Sequence, residues 1–243
     1  MTPEHRIREI QRFGYSFPIS KYLQRGFELF GKQAGFFIAF TLVYFLIMAL
    51  TNVMPFVGPL AASIILAPGL SVGYALVAHK IAKGQERIEF KEFYQGFDHT
   101  GSLAGVTVLT FLMLGAAAVP FVASMFISDF QDVSPLFAVL LLPVLYFAIA
   151  YAAAPLFVVF YKMQAWQAME ASRKVITKNW FMVFLMAIVM ALMAGMGTML
   201  FFVGLLVAMP VIACTQYAAF ADIMKLSSDA TEDVDDEILR HLV

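Results

Sequence analysis

The chain has 243 residues, of which 61% are apolar and only 14% are charged. Soluble domains average about 25% charged residues, so the composition argues against a soluble globular protein. The net charge of −1 says little about partners, and a single cysteine excludes an intramolecular disulfide. The placement of the apolar residues is more informative than their number.

Four long stretches contain no Lys, Arg, Asp or Glu: 34–79, 103–128, 133–161 and 180–221. A hydrocarbon core about 30 Å thick needs roughly 20 helical residues to cross it. The first and last stretches are long enough for two passes each, and the middle two for one pass each. The sequence therefore predicts an all-α membrane bundle of six transmembrane helices, with spans at about 34–53, 57–79, 103–127, 135–161, 180–199 and 202–222.

The basic residues predict the orientation of this bundle. All sixteen Lys and Arg lie outside the predicted spans, in 1–33, 80–102, 162–179 and after the last span, whereas the opposite connections carry only Asp129 and Asp132. The positive-inside rule then places both termini in the cytoplasm. The polar, basic first 33 residues predict no cleavable signal peptide, which favours a bacterial-type inner membrane. On this face we expect contact with anionic lipid headgroups rather than with nucleic acid.

A short amphipathic helix is predicted before each odd-numbered span. The first lies in the amino-terminal segment 1–33, the next two precede the spans at 103 and 180, and an acidic tail at 226–243 follows the transmembrane domain 34–225. In the first helix, Tyr22 and Phe27 lie on an apolar face opposite Lys21, Arg25 and Glu28. In the second, the same spacing sets an aromatic face against a polar one, namely Phe90, Phe93, Tyr94 and Phe97 against Glu89, Lys91 and Glu92. Such helices either lie in the headgroup layer or cap the bundle by packing on one another. The tail is predicted to be disordered, with the alternative of a short helix whose apolar face is Val234, Ile238, Leu239 and Leu242.

The even-numbered spans share a proline followed six or seven residues later by a tyrosine. This recurrence suggests three related hairpins that all start from the same side of the membrane. It also motivates a transport hypothesis in which a cavity between the hairpins is lined by these residues: Pro68, Tyr74, Pro155, Tyr161, Pro210 and Tyr217.

Several segments resemble uncharacterised bacterial polytopic membrane families. The likeness is carried by the run 75–84 leading into the F-x-x-F/L-x-x-G-F pattern of 90–97, by the A-x-x-x-S…N-W pattern of 168–180, and by 26–32. Related membrane domains occur fused to glycerophosphodiester phosphodiesterases, but this chain has no room for that catalytic domain. The resemblance therefore implies the six-helix fold and brings no substrate or catalytic residue.

Two motifs have a chemical interpretation and a structural one. Gly69–Gly73 matches G-x-S-x-G around Ser71, but no span holds a histidine in its interior to serve as the base, so we expect helix packing through the two glycines. Five methionines recur along span five, a spacing compatible with Cu(I) but more typical of packing: Met182, Met186, Met190, Met193 and Met196.

The interiors of the predicted spans contain no Lys, Arg, Asp, Glu or His, and Asp222 lies only at the end of the last span, which argues against proton-driven or ion-coupled transport. The sequence therefore predicts a non-enzymatic scaffold, assembly or lipid-interacting membrane protein without cofactor or metal. The partners that we expect are lipids, further copies of the chain or another membrane protein. The alternative is a transporter or permease subunit for apolar or amphiphilic solutes.

Overall fold

The computed structural model describes residues 2–53, 57–85, 87–127, 139–199 and 203–226, and within these ranges the chain is helical without a strand. A π-helical turn occupies Ala62–Leu66, and 3₁₀ helices occupy Phe90–His99 and Thr177–Asn179. The α-helices are α1 Pro3–Phe13, α2 Ile19–Lys32, α3 Ala34–Thr51, α4 Val57–Ala61, α5 Ala67–Ala82, α6 Thr100–Ile127, α7 Leu142–Ala150, α8 Ala154–Tyr161, α9 Ala165–Ile176, α10 Trp180–Met199 and α11 Leu205–Met224.

Six helical stretches of the described residues are long and apolar enough to cross a membrane, which confirms the predicted number of spans and makes the chain a multi-pass membrane protein. Their bounds are Ala34–Thr51, Val57–Ala82, Phe90–Phe126, Val139–Tyr161, Ala165–Met199 and Leu205–Met224. Two stretches are longer than predicted because the preceding helix, Phe90–His99 or α9, runs directly into the span. Residues 135–138 of the fourth predicted span, Asp129, Asp132 and the acidic tail from 227 onward lie outside the described residues.

A helix occupies each segment in which an amphipathic helix was predicted, namely α2, the 3₁₀ helix Phe90–His99 and α9. The sequence analysis missed a fourth one, α1. Its signals are a proline in the first turn and buried Ile7 and Ile10 three residues apart, with Gly14 ending the helix at a φ of +72°. The Arg6 side chain donates from Nε to the carbonyl oxygen of Ile223 at 2.9 Å, so α1 holds the end of α11.

The 3₁₀ helix Phe90–His99 packs against α5 at three glycines. The Cα of Gly73 faces the carbonyl oxygen of Phe93, Gly69 faces the Phe97 ring, and Gly96 faces the Gly69 carbonyl oxygen. Ser71 is exposed, and its hydroxyl donates to the Pro68 carbonyl oxygen at 3.0 Å. The predicted packing role of Gly69 and Gly73 is thus confirmed, although the partner is this 3₁₀ helix rather than another span.

Glu92 corrects the predicted faces of this 3₁₀ helix. It was placed on the polar side opposite Phe93, yet it is buried, with the Lys80 ammonium 3.3 Å from its Oε1. In a 3₁₀ helix, residues three apart share a face, so the α-helical spacing used for the prediction no longer applies. The ion pair with Lys80 offsets part of the cost of burying the carboxylate.

The fourth span is broken at residues 151–153, between α7 and α8. The break leaves the Ala150 carbonyl oxygen to be satisfied from outside the helix, and the buried Ser172 hydroxyl of α9 donates to it at 2.7 Å. The helix α9 therefore stabilises the interruption that precedes Pro155.

Because the Ser172 hydroxyl is the partner of a buried carbonyl, we expect Ser172→Ala to lower stability by about 1–3 kcal/mol. Thermal unfolding of the purified protein in detergent measures this effect. Ser71→Ala is the control, since the Ser71 hydroxyl is exposed and bonds within its own helix; its effect should stay within about 0.5 kcal/mol. Equal melting temperatures for the two variants would contradict the bridging role of Ser172.

A residue with a left-handed backbone follows each of the helices α5, α8 and α11. Gly84 has a φ of +83°, and Lys162 and Lys225 each have a φ of +54°. Lysine rarely adopts this conformation outside a helix end, where it allows the chain to turn away from the last carbonyl groups. The same type of ending thus recurs after α5, α8 and α11, in line with the recurrence noted in the sequence.

Candidate binding site around the last helix

The last span, α11, lies at the centre of the bundle. In its most apolar stretch 61% of residues are buried, the highest fraction among the six candidate spans. Small side chains on α11 permit this close packing, as at Ala208, Ala218, Ala219 and Ala221, which are all buried. Two concave surfaces adjoin its carboxyl-terminal half, one charged and one apolar.

The charged surface, here called the polar cavity, lies between α2 and α11 and has a volume of about 460 Å³. Ala82, at the end of α5, closes one side. The residues that line it are Lys21, Tyr22, Gln24, Arg25, Glu28, Leu29, Ala82, Tyr217, Ala218, Ala221 and Asp222. The polar face of α2 predicted from the sequence therefore borders a cavity as well as the surrounding solvent.

Charges of both signs line the polar cavity. Arg25 donates from its guanidinium to Glu28 Oε2 at 3.0 Å, and the Tyr22 hydroxyl donates to Asp222 Oδ2 at 2.7 Å. Burial, and after it the neighbouring Asp222 carboxylate, raises the pKa of Tyr22 above its ordinary value. Tyr22 therefore remains a hydrogen-bond donor at neutral pH, and it fixes the position of Asp222.

Tyr217 connects the wall of the polar cavity to α5. Its hydroxyl lies 2.8 Å from Nδ1 of His79. The centroids of the Tyr217 and Phe160 rings are 5.9 Å apart. Next to it on α11, the Thr215 hydroxyl donates to the Val211 carbonyl oxygen at 2.8 Å. The polar side chains of Thr215 and Tyr217 on the last span are thus used in structural hydrogen bonds.

The apolar surface, here called the apolar cleft, lies between α8, α9, α10 and α11 and encloses about 90 Å³. Ala152 and Ala153, at the break in the fourth span, form part of its wall together with Met186 and Met190. Of the described residues that line it, only Gln216 carries a polar side chain, and its amide is 3.9 Å from the Met190 sulfur. A mostly apolar wall with one polar group is typical of sites for small amphiphilic molecules.

Tyr22 separates the polar cavity from the apolar cleft. Tyr22 lines the cavity, although it is only 1% exposed, and it packs with Met186, Met190 and Ala219. Phe17, which lines the cleft, meets the Tyr22 ring edge-on at 5.0 Å between centroids. A charged site and an apolar site therefore share a wall at one end of the membrane spans.

The six residues proposed from the sequence as cavity lining occupy different surroundings. Tyr217 lines the polar cavity, and Tyr161 lines a separate cavity of about 490 Å³ between α1 and α9. Tyr74 is buried, with its hydroxyl 2.9 Å from Thr41 Oγ1. Pro210 is buried inside α11, and Pro68 and Pro155 are partly buried in the first turns of α5 and α8.

Sequence reasoning did not place Tyr22 and Asp222 in one site, because 200 residues separate them along the chain. The available signal was Asp222 itself, a carboxylate at the end of an apolar span that requires a polar partner. Among the recurring methionines of α10, Met186 and Met190 are buried beside the cleft, whereas Met182 and Met196 are exposed. Within the described ranges, no group of three or more His, Cys, Asp or Glu side chains is arranged to hold a metal ion.

No protein-family model, curated protein or solved structure matches the chain. The fold and the site thus define the class, a multi-pass helical membrane protein. What this protein does must be inferred from the polar cavity and the apolar cleft.

Proposed function

We propose that the protein is a non-enzymatic, lipid-interacting membrane protein that binds a phospholipid headgroup in the polar cavity. The observation that carries this proposal is a charged cavity at the end of apolar spans, with an apolar cleft behind the same Tyr22 wall. Phospholipids combine a charged head with apolar chains and surround any membrane span, so they match both surfaces. A scaffold or assembly role, in further copies of the chain or with another membrane protein, is compatible with a bound lipid.

The proposal includes the orientation derived from the basic residues. Both termini face the cytoplasm of a bacterial-type inner membrane, and α1, α2, the 3₁₀ helix Phe90–His99 and α9 lie at its headgroup layer. Exposed aromatic residues in these segments support this placement: Phe13 is 84% and Trp166 58% exposed. Aromatic and basic side chains together are typical of helices in the membrane interface.

Cysteine labelling in intact cells tests the orientation. We expect a membrane-impermeant thiol reagent to label Asn52→Cys, which lies at the carboxyl-terminal end of α3, on the outer side in the proposed orientation. Lys91→Cys and Lys174→Cys should stay unlabelled until the membrane is permeabilised. The native Cys214 is fully buried and should stay unlabelled, which the unmodified protein controls. Labelling of Lys91→Cys or Lys174→Cys in intact cells would contradict the orientation.

Native mass spectrometry of the detergent-purified protein tests the proposed lipid site. We expect retained phospholipid, and a Lys21→Gln/Arg25→Gln variant should bind it about 30-fold more weakly, because each basic residue near a phosphate contributes about 1 kcal/mol. Lys178→Gln is the matched control, since Lys178 is exposed and does not line the cavity. Equal retention by the double variant and the control, or no retained lipid at all, would refute the proposed site.

Transport of an amphiphilic solute is the second candidate function, favoured by the interrupted spans. The break at 151–153 borders the apolar cleft, and a π-helical turn precedes Pro68. Discontinuous helices at corresponding positions are typical of transporter binding sites. Flux of a fluorescent lipid or detergent-like solute into proteoliposomes separates the candidates: lipid retention without flux supports the first, and flux above that of empty liposomes supports the second.

A further inference from the structure

Building on the proposed phospholipid site, we propose that the polar cavity selects a zwitterionic headgroup with a primary ammonium, as in phosphatidylethanolamine. Among the residues that line the cavity, Lys21 and Arg25 are basic and Glu28 and Asp222 are acidic. A purely anionic headgroup carries no positive charge that could pair with the two carboxylates. A zwitterion brings an opposite charge to both kinds of side chain, which is the basis of electrostatic selectivity.

Lys21 and Arg25 form the phosphate end of the site. They lie one turn apart on α2, which places both side chains on the same face of the helix. Lys21 makes no ion pair with any residue that the structure describes. Arg25 pairs with Glu28, but both side chains are over 40% exposed, and such a pair is weak enough to rearrange around a phosphate.

Asp222 forms the ammonium end. One of its oxygen atoms accepts the Tyr22 hydroxyl, and a carboxylate has about four lone-pair directions, so it retains acceptor capacity for an ammonium N–H. Tyr22 orients this carboxylate toward the cavity from the shared wall.

The aromatic residues of the cavity argue against a quaternary ammonium. Recognition of choline relies on aromatic ring faces that surround the cation. Here the Tyr22 and Tyr217 rings are each only 1% exposed, because they pack against Phe17, His79 and Phe160. The hydrogen-bond acceptors are therefore more accessible than the ring faces, which favours an ammonium that donates N–H bonds.

Lipid competition on the full-length protein in mixed micelles tests this inference. Phosphatidylethanolamine, phosphatidylglycerol and phosphatidylcholine with identical acyl chains are added in equal amounts, and bound lipid is measured by native mass spectrometry. We expect phosphatidylethanolamine to be retained at least about fivefold over each of the others, the effect of one charged contact. Soluble phosphoethanolamine, which has no acyl chains, should bind far more weakly than the lipid.

Variants identify the carboxylate that is responsible. Asp222→Asn keeps an oxygen acceptor for Tyr22 but removes the charge, so it should reduce the preference over phosphatidylglycerol to about equal retention. Asp98→Asn is the control, because Asp98 is exposed and lies outside the cavity. The wild-type preference is measured independently, so a poorly folding variant does not remove the test.

The outcomes separate this inference from the function on which it rests. Retention of phosphatidylglycerol or phosphatidylcholine equal to that of phosphatidylethanolamine overturns the primary-ammonium selectivity and leaves the phospholipid site standing. An unchanged preference in Asp222→Asn overturns the role of that carboxylate, and equally tight binding of soluble phosphoethanolamine overturns a lipid as the source of the headgroup. No retained phospholipid of any kind refutes the proposed function itself.

Discussion

Gly73→Ala should destabilise the protein by about 1–3 kcal/mol, the usual cost of adding atoms to a tightly packed site. A Cβ at this position would lie 2.1 Å from the Phe93 carbonyl oxygen, a backbone atom that no side-chain rotation can move. The 3₁₀ helix Phe90–His99 would have to shift away from α5. Thermal unfolding in detergent measures the change, and limited proteolysis between 83 and 100 should become faster.

Gly115→Ala is the matched control for Gly73→Ala. It makes the same substitution inside a helix, in α6, but nothing lies within 4 Å of the added Cβ. Alanine favours a helix over glycine by about 1 kcal/mol, so the melting temperature should stay equal or rise. A loss of stability in Gly115→Ala as large as in Gly73→Ala would mean that the close approach to Phe93 is not the cause.

Gly26→Ala should both destabilise the protein and weaken phospholipid retention. A Cβ on Gly26 would lie 2.1 Å from Thr215 Oγ1 and 2.9 Å from the Thr215 backbone nitrogen. Thr215 is fully buried and its hydroxyl is bonded to the Val211 carbonyl oxygen, so its side chain has little room to rotate away. The helices α2 and α11 must then move apart, which should lower the stability by about 1–3 kcal/mol. This movement also changes the shape of the polar cavity between them.

A second-site change and a same-helix control make the Gly26 prediction specific. Adding Thr215→Ala to Gly26→Ala removes the atom nearest to the new Cβ. The backbone nitrogen and Cα of residue 215 remain 2.9 and 3.0 Å from that Cβ, so the stability should recover only in part. Gly31→Ala, also in α2, has nothing within 4 Å of its Cβ and should melt at or above the wild-type temperature. Full lipid retention in Gly26→Ala would show that the cavity does not depend on this contact.

The architecture was largely predictable because hydrophobic spans are encoded locally. A charge-free run of sufficient length predicts a span whatever the distant residues are. Within the described residues, six helices are long and apolar enough to be such spans. The predicted boundaries differ from the structure where the preceding helix continues into a span, as at His99–Thr100, because the chain does not break there. The helix α1 was missed because its apolar face is only a few residues long.

The candidate site was less predictable because it depends on pairings across the chain. Tyr22 was assigned correctly to the apolar face of its helix, but nothing in the neighbouring residues indicates that its hydroxyl meets Asp222. Glu92 was assigned to the wrong face because a 3₁₀ helix repeats every three residues rather than every 3.6. In both cases a contact with another segment fixes the position of the side chain: Asp222 for Tyr22, and Lys80 for Glu92.

The sequence by itself determined that this chain crosses a membrane with six helices, since the transfer of apolar side chains and peptide groups into hydrocarbon depends on local composition. It also determined that Gly69 and Gly73 serve close packing. Only the tertiary structure decided which helices border the polar cavity and the apolar cleft and which charges face one another. The physical reason is that hydrogen bonds and ion pairs act over a few ångströms in space, whatever the separation of the residues along the chain.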